Sequence, residues 1–92
     1  MRVRFYATLR PLAGGRSLEI ELPEAATVQA LVEAVVAQQP ALGEILLDPH
    51  AVVPRGVHVF VNGRGAGYLP NGYATRLEED DSVDIFPAVA GG

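Results

Sequence analysis

Hydrophobic and polar residues alternate in two separate runs within the first 22 positions. The first run covers residues 3–9, and its apolar side is Val3, Phe5, Ala7 and Leu9. A second run follows the chain breakers Pro11, Gly14 and Gly15 and stops at Pro23, with apolar positions Leu18, Ile20 and Leu22. A period of two is typical of a half-buried β-strand. We therefore expect two strands that pair as a hairpin.

The period then changes to that of a helix. Apolar residues fall at i, i+3, i+4, i+7 and i+8, namely Val28, Leu31, Val32, Val35 and Val36. This spacing places them on one stripe of an amphipathic helix. Thr27 is the expected N-cap, and Pro40 should end the helix near Gln39 because the residue before proline avoids helical geometry. A short second helical turn is expected within 41–47, followed by a loop over 48–56.

Two further strands are expected in the second half of the chain. Val57, Val59 and Val61 alternate with polar or aromatic residues up to the turn signal Asn62-Gly63. The glycine-rich stretch 63–76 has room for only a short edge strand. In the last strand Val83 and Ile85 point inward, while Asp84 and Phe86 point outward. Pairing should stop at Pro87, which has no N–H to donate to a sheet.

This order of elements predicts an α+β fold of the β-grasp, or ubiquitin-like, type. The predicted architecture is a mixed sheet of four to five strands with one main helix packed on one face. Residues 1–86 form the β-grasp domain, and residues 87–92 form an extended, flexible C-terminal tail. A chain of 92 residues is long enough for one such domain and its core.

Composition excludes several classes of function. The net charge is -4 and the seven cations, all arginine, are scattered, which argues against nucleic acid as a partner. No apolar run approaches the roughly 18 residues of a transmembrane helix, and the N-terminus does not resemble a signal peptide. We expect a cytoplasmic protein without membrane contact, monomeric when free. Cysteine is absent, so no side-chain thiol is available for catalysis or for carrying sulfur.

The C-terminus holds the candidate reactive group, the main-chain carboxylate of Gly92. The preceding residues are slender and uncharged: Pro87, Ala88, Val89, Ala90 and Gly91. Such a tail can be threaded into a narrow channel, and six extended residues reach roughly 20 Å. Glycine has no Cβ, so another protein can close around the reacting carbon. Adenylation would give this carboxylate a leaving group, and attack by sulfur would convert it to a thiocarboxylate.

A candidate docking surface lies on the predicted open face of the sheet. Tyr6, Phe60 and Phe86 all point away from the helix, and their strands are neighbours in a β-grasp sheet. Exposed aromatic residues on central strands often form a partner surface, although cross-strand pairing alone also favours them. Arg2 and Arg4 would flank this patch and meet acidic groups of a partner.

Other motifs favour less specific interpretations. The acidic run 78–81 is either a solvated turn or a guide toward a basic partner surface. The stretch 63–67 resembles a phosphate loop only in its glycines, because no Gly-Lys-Ser/Thr follows and Tyr68 stands where a dinucleotide fingerprint needs glycine. We expect no bound cofactor, so that ATP would be bound by a partner. His50 and His58 lack the ligand spacing of a metal site, and we expect none.

The sequence resembles the MoaD/ThiS family of sulfur carriers over nearly its whole length. The most specific segment is 82–92, SVDIFPAVAGG. Within the family, the segments LRPLAGG at 9–15, LDP at 47–49 and VFVN at 59–62 look most like the CysO-type carriers of cysteine biosynthesis. Asp80, where family members often have glycine, and Ala88, where many molybdopterin-type members have proline, depart from the family pattern.

The resemblance implies a carrier cycle rather than an enzyme. A ubiquitin-activating-like adenylyltransferase would adenylate Gly92, and a sulfurtransferase or sulfide source would convert it to the thiocarboxylate. A sulfur-accepting synthase would then take the sulfur, and in CysO-type systems a metalloprotease releases the product. Three alternatives stay open: the small subunit of molybdopterin synthase, a ubiquitin-like modifier conjugated through Gly92, and a passive ubiquitin-like binding module.

Overall fold

Five strands form one sheet in the computed structural model, which describes residues 1–46 and 57–87. The strands are β1 (Arg2–Phe5), β2 (Ser17–Glu19), β3 (Val57–Val61), β4 (Arg64–Gly65) and β5 (Val83–Pro87). Their order across the sheet is β2-β1-β5-β3-β4. The first and last long strands are therefore neighbours at the centre.

The sheet is mixed. β1 and β5 run parallel, with Val3 opposite Val83 and Phe5 opposite Ile85. The β1–β2, β3–β5 and β3–β4 pairs are antiparallel. With one main helix packed against this sheet, the arrangement confirms the predicted β-grasp fold.

Residues 1–46 and 57–87 include three α-helices: α1 (Leu9–Ala13), α2 (Val28–Gln38) and α3 (Gly43–Leu46). Short 3-10 helices cover Pro40–Leu42, Ala66–Tyr68 and Gly72–Ala74. The main helix, α2, has the predicted start, because the Thr27 hydroxyl accepts a hydrogen bond from the Ala30 N–H at 3.1 Å. Within the described residues, none of the helices has the length and apolar composition needed to cross a membrane.

The core lies between α2 and one face of the sheet. Helix α2 contributes Val28, Leu31, Val32 and Val35, and the three central strands contribute Val3, Phe5, Val57, Val59, Val61, Val83 and Ile85. All of these side chains are at most 5% exposed. The period-two strands and the period-3.6 helix thus bury the faces predicted for them, and the opposite face of the sheet is left open.

The first strand is shorter than predicted, and the expected hairpin turn is a helix. β1 ends at Phe5, and Ala7 adopts a left-handed φ of 53°, which is incompatible with continuing the strand. Ala7 is exposed rather than inward. Leu9 is buried as predicted, but it belongs to α1, where it shares a buried side with Ala13. Gly14 ends α1 in the left-handed conformation with φ 81°.

The end of β5 falls at Pro87, which lies opposite Val57. The sheet therefore includes one residue that the sequence pattern assigned to the tail. Proline is compatible with this last position because a strand end needs no further N–H donor. The predicted loop at 48–56 and the predicted tail residues 88–92 lie outside the described residues.

The Thr27 cap gives a direct test of how α2 is stabilised. We expect Thr27→Ala to lower the free energy of unfolding by about 1 kcal/mol, because the Ala30 N–H loses its acceptor. Thr8 is a matched control, since it holds the same position at α1 but makes no side-chain capping bond. Thr8→Ala should change stability by less than about 0.5 kcal/mol in the same urea titration. Equal losses in both variants would contradict the assignment.

Candidate functional site

The predicted reactive end of the chain follows β5 directly. Of the tail residues, Pro87 is described, and it is half-buried at the end of the strand. The predicted adenylation site Gly92 and the threading residues Ala88, Val89, Ala90 and Gly91 lie outside the described residues. The described part of the site is therefore the sheet surface around Phe86 and Pro87, which we call the tail root.

The three predicted aromatic residues meet beside the tail root and form an aromatic patch of Tyr6, Phe60 and Phe86. The Tyr6 and Phe86 rings stack with centroids 4.2 Å apart and planes 9° from parallel. Phe60 meets Phe86 edge-on, with centroids 5.5 Å apart at 89°. Both geometries are ones that aromatic quadrupoles favour. The patch lies on the open face, and 37% of Phe86 is exposed.

Asp84 connects this patch to the polar part of the open face. Its carboxylate accepts a hydrogen bond from the Tyr6 hydroxyl at 2.7 Å. It also forms an ion pair with Arg4, whose Nε lies 2.8 Å from Oδ1. The Arg4 guanidinium reaches the Ser82 hydroxyl at 2.9 Å as well. Because Asp84 and Phe86 are two residues apart on β5, both lie on the same face as the Tyr6 side chain.

The hydrogen bond to Asp84 raises the pKa of Tyr6 above its ordinary value of 10.0. Desolvation and the negative charge of Asp84 act in the same direction, whereas Arg4 and Arg10 oppose them. The Tyr6 phenol is therefore a protonated donor throughout the neutral range.

Arg10 is a functional candidate that the sequence pattern did not identify. It projects from α1, and its guanidinium carbon lies 5.5 Å from the centroid of the Tyr6 ring, within cation–π range. Its Nε donates to the Phe5 carbonyl at 3.0 Å, at the end of β1. The sequence pattern does not reveal Arg10, because the alternation over residues 3–9 predicts one continuous strand. A strand there has no α1 from which Arg10 can reach back to Tyr6.

The two arginines predicted to flank the patch have different surroundings. Arg4 contacts the patch indirectly, through Asp84. Arg2 is on the same face of β1 but extends toward the neighbouring strand β2, where its Nε is 2.9 Å from the Glu19 carboxylate. Both members of the Arg2–Glu19 pair are exposed, so this pair contributes little to stability. Arg2 is consequently separated from the aromatic patch, contrary to the expectation that it borders it.

Tyr68 extends the aromatic surface toward the edge of the sheet. The sequence pattern did not identify it as part of this surface. A Cβ added to Gly65 would lie 3.2 Å from the Tyr68 ring and 4.0 Å from the Phe60 ring. The Tyr68 ring thus lies over Gly65 while 86% of the residue is exposed. The informative signal was the glycine three positions before the tyrosine, because a side chain at Gly65 would crowd the Tyr68 ring.

The acidic run 78–81 forms an exposed turn at the far end of the sheet. The Asp81 carboxylate closes the turn by accepting hydrogen bonds from the Glu78 N–H at 2.7 Å and from the Asn62 side chain at 2.8 Å. The run precedes β5, whereas the tail root ends it, so the two are separated by the length of that strand, about 13 Å. This placement favours a solvated turn over a guide for the tail.

The remaining sequence candidates contribute no site to the described structure. The glycine-rich segment forms the short β4 and a single 3-10 turn rather than a loop preceding a long helix. His58 is exposed on β3, and His50 lies outside the described residues. Within residues 1–46 and 57–87, no three His, Cys, Asp or Glu side chains are grouped to hold a metal ion.

Comparison with known protein families gives a match to one described as the ThiS family, over residues 3–92. Among curated relatives, the chain is 36% identical to Small archaeal modifier protein 3 of Haloferax volcanii over 92 residues, covering 100% of this chain and 98% of that protein. It is 34% identical to Sulfur carrier protein CysO of Mycobacterium tuberculosis over 86 residues, covering 91% of this chain and 89% of that protein.

Solved structures share the fold over almost the entire chain. A Pyrococcus furiosus protein assigned as molybdopterin converting factor, subunit 1, superposes with a TM-score of 0.76 at 33% identity, covering 96% of this chain and 95% of that one. A chain from the Amycolatopsis orientalis BexX/CysO complex superposes with a TM-score of 0.78 at 27% identity, covering 99% and 98%. These neighbours confirm the ubiquitin-like fold.

The raised pKa of Tyr6 predicts a pH dependence of stability. A folded-state pKa above the unfolded value means that the stabilisation is complete below about pH 10 and is lost as the pH rises through the folded-state pKa. We expect the unfolding midpoint to decline above about pH 10, and less steeply in Tyr6→Phe. Burial also raises the pKa of Tyr73, so part of the decline should remain in that variant. Thermal unfolding across the alkaline range measures this, and identical slopes in both proteins would refute it.

Proposed function

This chain belongs to the ThiS family, and on that premise we propose that it is a sulfur carrier whose Gly92 carboxylate is adenylated by a partner enzyme and converted to a thiocarboxylate. The observation that carries the proposal is that the family match extends through residue 92 and so includes the Gly91-Gly92 end. The similarity to a sulfur carrier protein over 91% of the chain supports the same conclusion. The thiocarboxylate would donate its sulfur in the biosynthesis of cysteine or a related metabolite.

The proposed chemistry requires two substitutions at the terminus. A Gly92 carboxylate oxygen attacks the α-phosphorus of ATP, and pyrophosphate leaves. A sulfide-level nucleophile then attacks the acyl carbon, and AMP leaves with its bonding electron pair. The product holds sulfur on the main chain, which suits a sequence without a cysteine thiol. A terminal glycine favours both steps because no Cβ obstructs the approach to the acyl carbon.

In this proposal the protein is a recycled co-substrate, and catalysis belongs to its partners. The activating partner is an adenylyltransferase of the ubiquitin-activating-like class, which binds the ATP. A sulfurtransferase or sulfide supplies sulfur, and a synthase accepts it, with a metalloprotease releasing the product if the pathway is of the cysteine type. Family members such as CysO are carrier proteins by name, and one related CysO is found in a complex named BexX/CysO.

We propose the aromatic patch as the docking surface for the activating partner, with Arg4 as a polar contact at its margin. Arg2 would be a more distant polar contact on the same face of β1. The patch adjoins the tail root, so a partner that binds it also meets the emerging tail. Aromatic side chains supply large contact areas at interfaces. Tyr68 extends the same surface, because its ring and that of Phe60 both approach Gly65.

A protein modifier is the second candidate, and a specific comparison favours keeping it. The relative of 36% identity is named as a small archaeal modifier protein and aligns with 100% of this chain. Both functions begin with adenylation of a C-terminal glycine and differ in the nucleophile that follows, sulfur or a lysine amine. The molybdopterin converting factor among the structural neighbours supports a third assignment, the small subunit of molybdopterin synthase.

The main test is chemical modification of Gly92. We expect incubation with a ubiquitin-activating-like adenylyltransferase, ATP and sulfide to produce a mass gain equal to replacing one oxygen by sulfur. Deletion of Gly91-Gly92 should abolish the gain, while the exposed variant Glu78→Ala should retain it. Intact-protein mass spectrometry reads the result.

Other outcomes of this experiment separate the candidates. An unmodified Gly92 across activating enzymes would overturn the sulfur-carrier proposal. Glycine-glycine remnants on lysines of other proteins, dependent on the intact tail, would identify a modifier. Stable binding to a large molybdopterin synthase subunit, with conversion of its precursor, would identify the third candidate.

Docking through the aromatic patch is tested by truncating its central ring. We expect Phe86→Ala to raise KM for the activating enzyme about 30-fold, the equivalent of roughly 2 kcal/mol for a buried interface aromatic. The matched control is Glu78→Ala, which removes an exposed side chain at the far end of the sheet and should leave KM unchanged. If Phe86→Ala lowers only the unfolding midpoint, the ring serves cross-strand pairing and the docking proposal is wrong.

A further inference from the structure

The ring of Phe86, the last side chain before Pro87, is fixed from two directions although it lies on the surface. Tyr6 stacks against it at 4.2 Å, and Phe60 meets it edge-on at 5.5 Å. These rings approach from β3 on one side and from the end of β1 on the other. The backbone direction at the tail root is thus coupled to both neighbouring strands.

Tyr6 can act as a support only because its own position is fixed. It follows β1 and precedes Ala7, whose left-handed φ of 53° turns the chain out of the sheet. Its hydroxyl donates to Asp84 at 2.7 Å while its ring stacks on Phe86. One side chain therefore spans two successive outward positions of β5. Asp84 is itself oriented by Arg4 at 2.8 Å.

Arg10 adds a connection from outside the sheet. Its Nε donates to the carbonyl of Phe5 at 3.0 Å, and its guanidinium lies 5.5 Å from the Tyr6 ring centroid. Because Arg10 is part of α1, it ties the helix to the end of β1 and to the stacked rings. We call Arg4, Tyr6, Arg10, Asp84 and Phe86 the Tyr6 network.

We propose that Asp84 and Arg10 are positioning residues, which hold Tyr6 against Phe86 and thereby set the direction in which the chain leaves the sheet at Pro87. This inference rests on the proposed function of Gly92. Five residues beyond Pro87 reach at most about 17 Å, so the placement of the root limits where the terminal carboxylate can reach. A loosely held root lowers the effective concentration of the terminal carboxylate in a partner's active site.

Positioning and docking predict different kinetic effects. Tyr6→Phe retains the ring and the apolar surface but loses the hydrogen bond to Asp84. We expect kcat for adenylation to fall about five-fold with KM unchanged, because the complex still forms but presents the tail correctly less often. Tyr73→Phe is the matched control, since it removes the same hydroxyl from a half-buried tyrosine packed against the core. It should leave kcat and KM unchanged.

Asp84 provides a test by conservative replacement. Asp84→Asn keeps an oxygen that accepts from Tyr6 and should retain most of the parental kcat. Asp84→Ala removes the acceptor and should reproduce the kcat of Tyr6→Phe, and combining the two substitutions should give no further loss. Arg10→Gln should lower kcat in the same way, because it removes the cation over the Tyr6 ring.

Binding without the tail separates positioning from contact. Chains lacking Gly91-Gly92 should inhibit the activating enzyme competitively, and their inhibition constant reports docking alone. We expect the same inhibition constant with Tyr6 and with Tyr6→Phe in this shortened background. A rise in the inhibition constant that accounts for the whole loss of kcat/KM would overturn the proposal and make Tyr6 a contact residue. Unchanged kcat in Tyr6→Phe would overturn it as well.

A measurement on the free protein keeps this inference distinct from the proposed function. The NMR order parameter of the Phe86 N–H should decrease in Tyr6→Phe and in Asp84→Ala, but not in Tyr73→Phe. Order parameters equal to those of the parent protein would refute positioning. If the parent protein is never adenylated, the proposed function fails, and the order parameters still decide whether the Tyr6 network holds the root.

Discussion

The parallel pairing of β1 with β5 at the centre of the sheet is the constraint on which the rest of this structure depends. Val3 lies opposite Val83 and Phe5 opposite Ile85, and all four side chains are fully buried against α2. Parallel strands end at the same edge of a sheet. The C-terminal ends of the first and last strands therefore meet, and this arrangement brings Tyr6, just after β1, against Phe86 at the tail root.

This pairing also gives the molecule two chemically different ends. The strand β5 begins after the acidic turn, which Asp81 closes through its bonds to Glu78 and Asn62. It finishes beside the stacked rings of Tyr6 and Phe86. Negative charge is thus concentrated at one end of the sheet and aromatic surface at the other, where the chain continues toward Gly92. At the aromatic end the rings lie beside Asp84, whose carboxylate is bonded to Tyr6 and Arg4.

The side chains of the open face are exposed, yet they also contact one another. Solvent-facing positions of a β-grasp sheet need no apolar side chain for folding, since the core is completed on the α2 side. The aromatic rings there nevertheless pack against one another. Asp84 accepts a hydrogen bond from Tyr6 and forms an ion pair with Arg4. A surface that is internally braced in this way presents a fixed shape to a partner. Preorganised surfaces lose less conformational freedom on binding than mobile ones.

The sequence by itself determined the fold, the inward faces of α2, β3, β5 and of β1 up to Phe5, the N-cap at Thr27 and the family, because periodicity and capping are local properties of consecutive residues. It also predicted which aromatic residues share the open face. It did not reveal that β1 stops at Phe5, since Leu9 is apolar in either a strand or a helix and its burial alone cannot distinguish them. The tertiary structure decided that point, and with it the placement of Arg10 against Tyr6 and the pairing of Arg2 with Glu19. Those contacts join residues that are distant in sequence or that depend on the turn at Ala7, so only the packing of the whole domain specifies them.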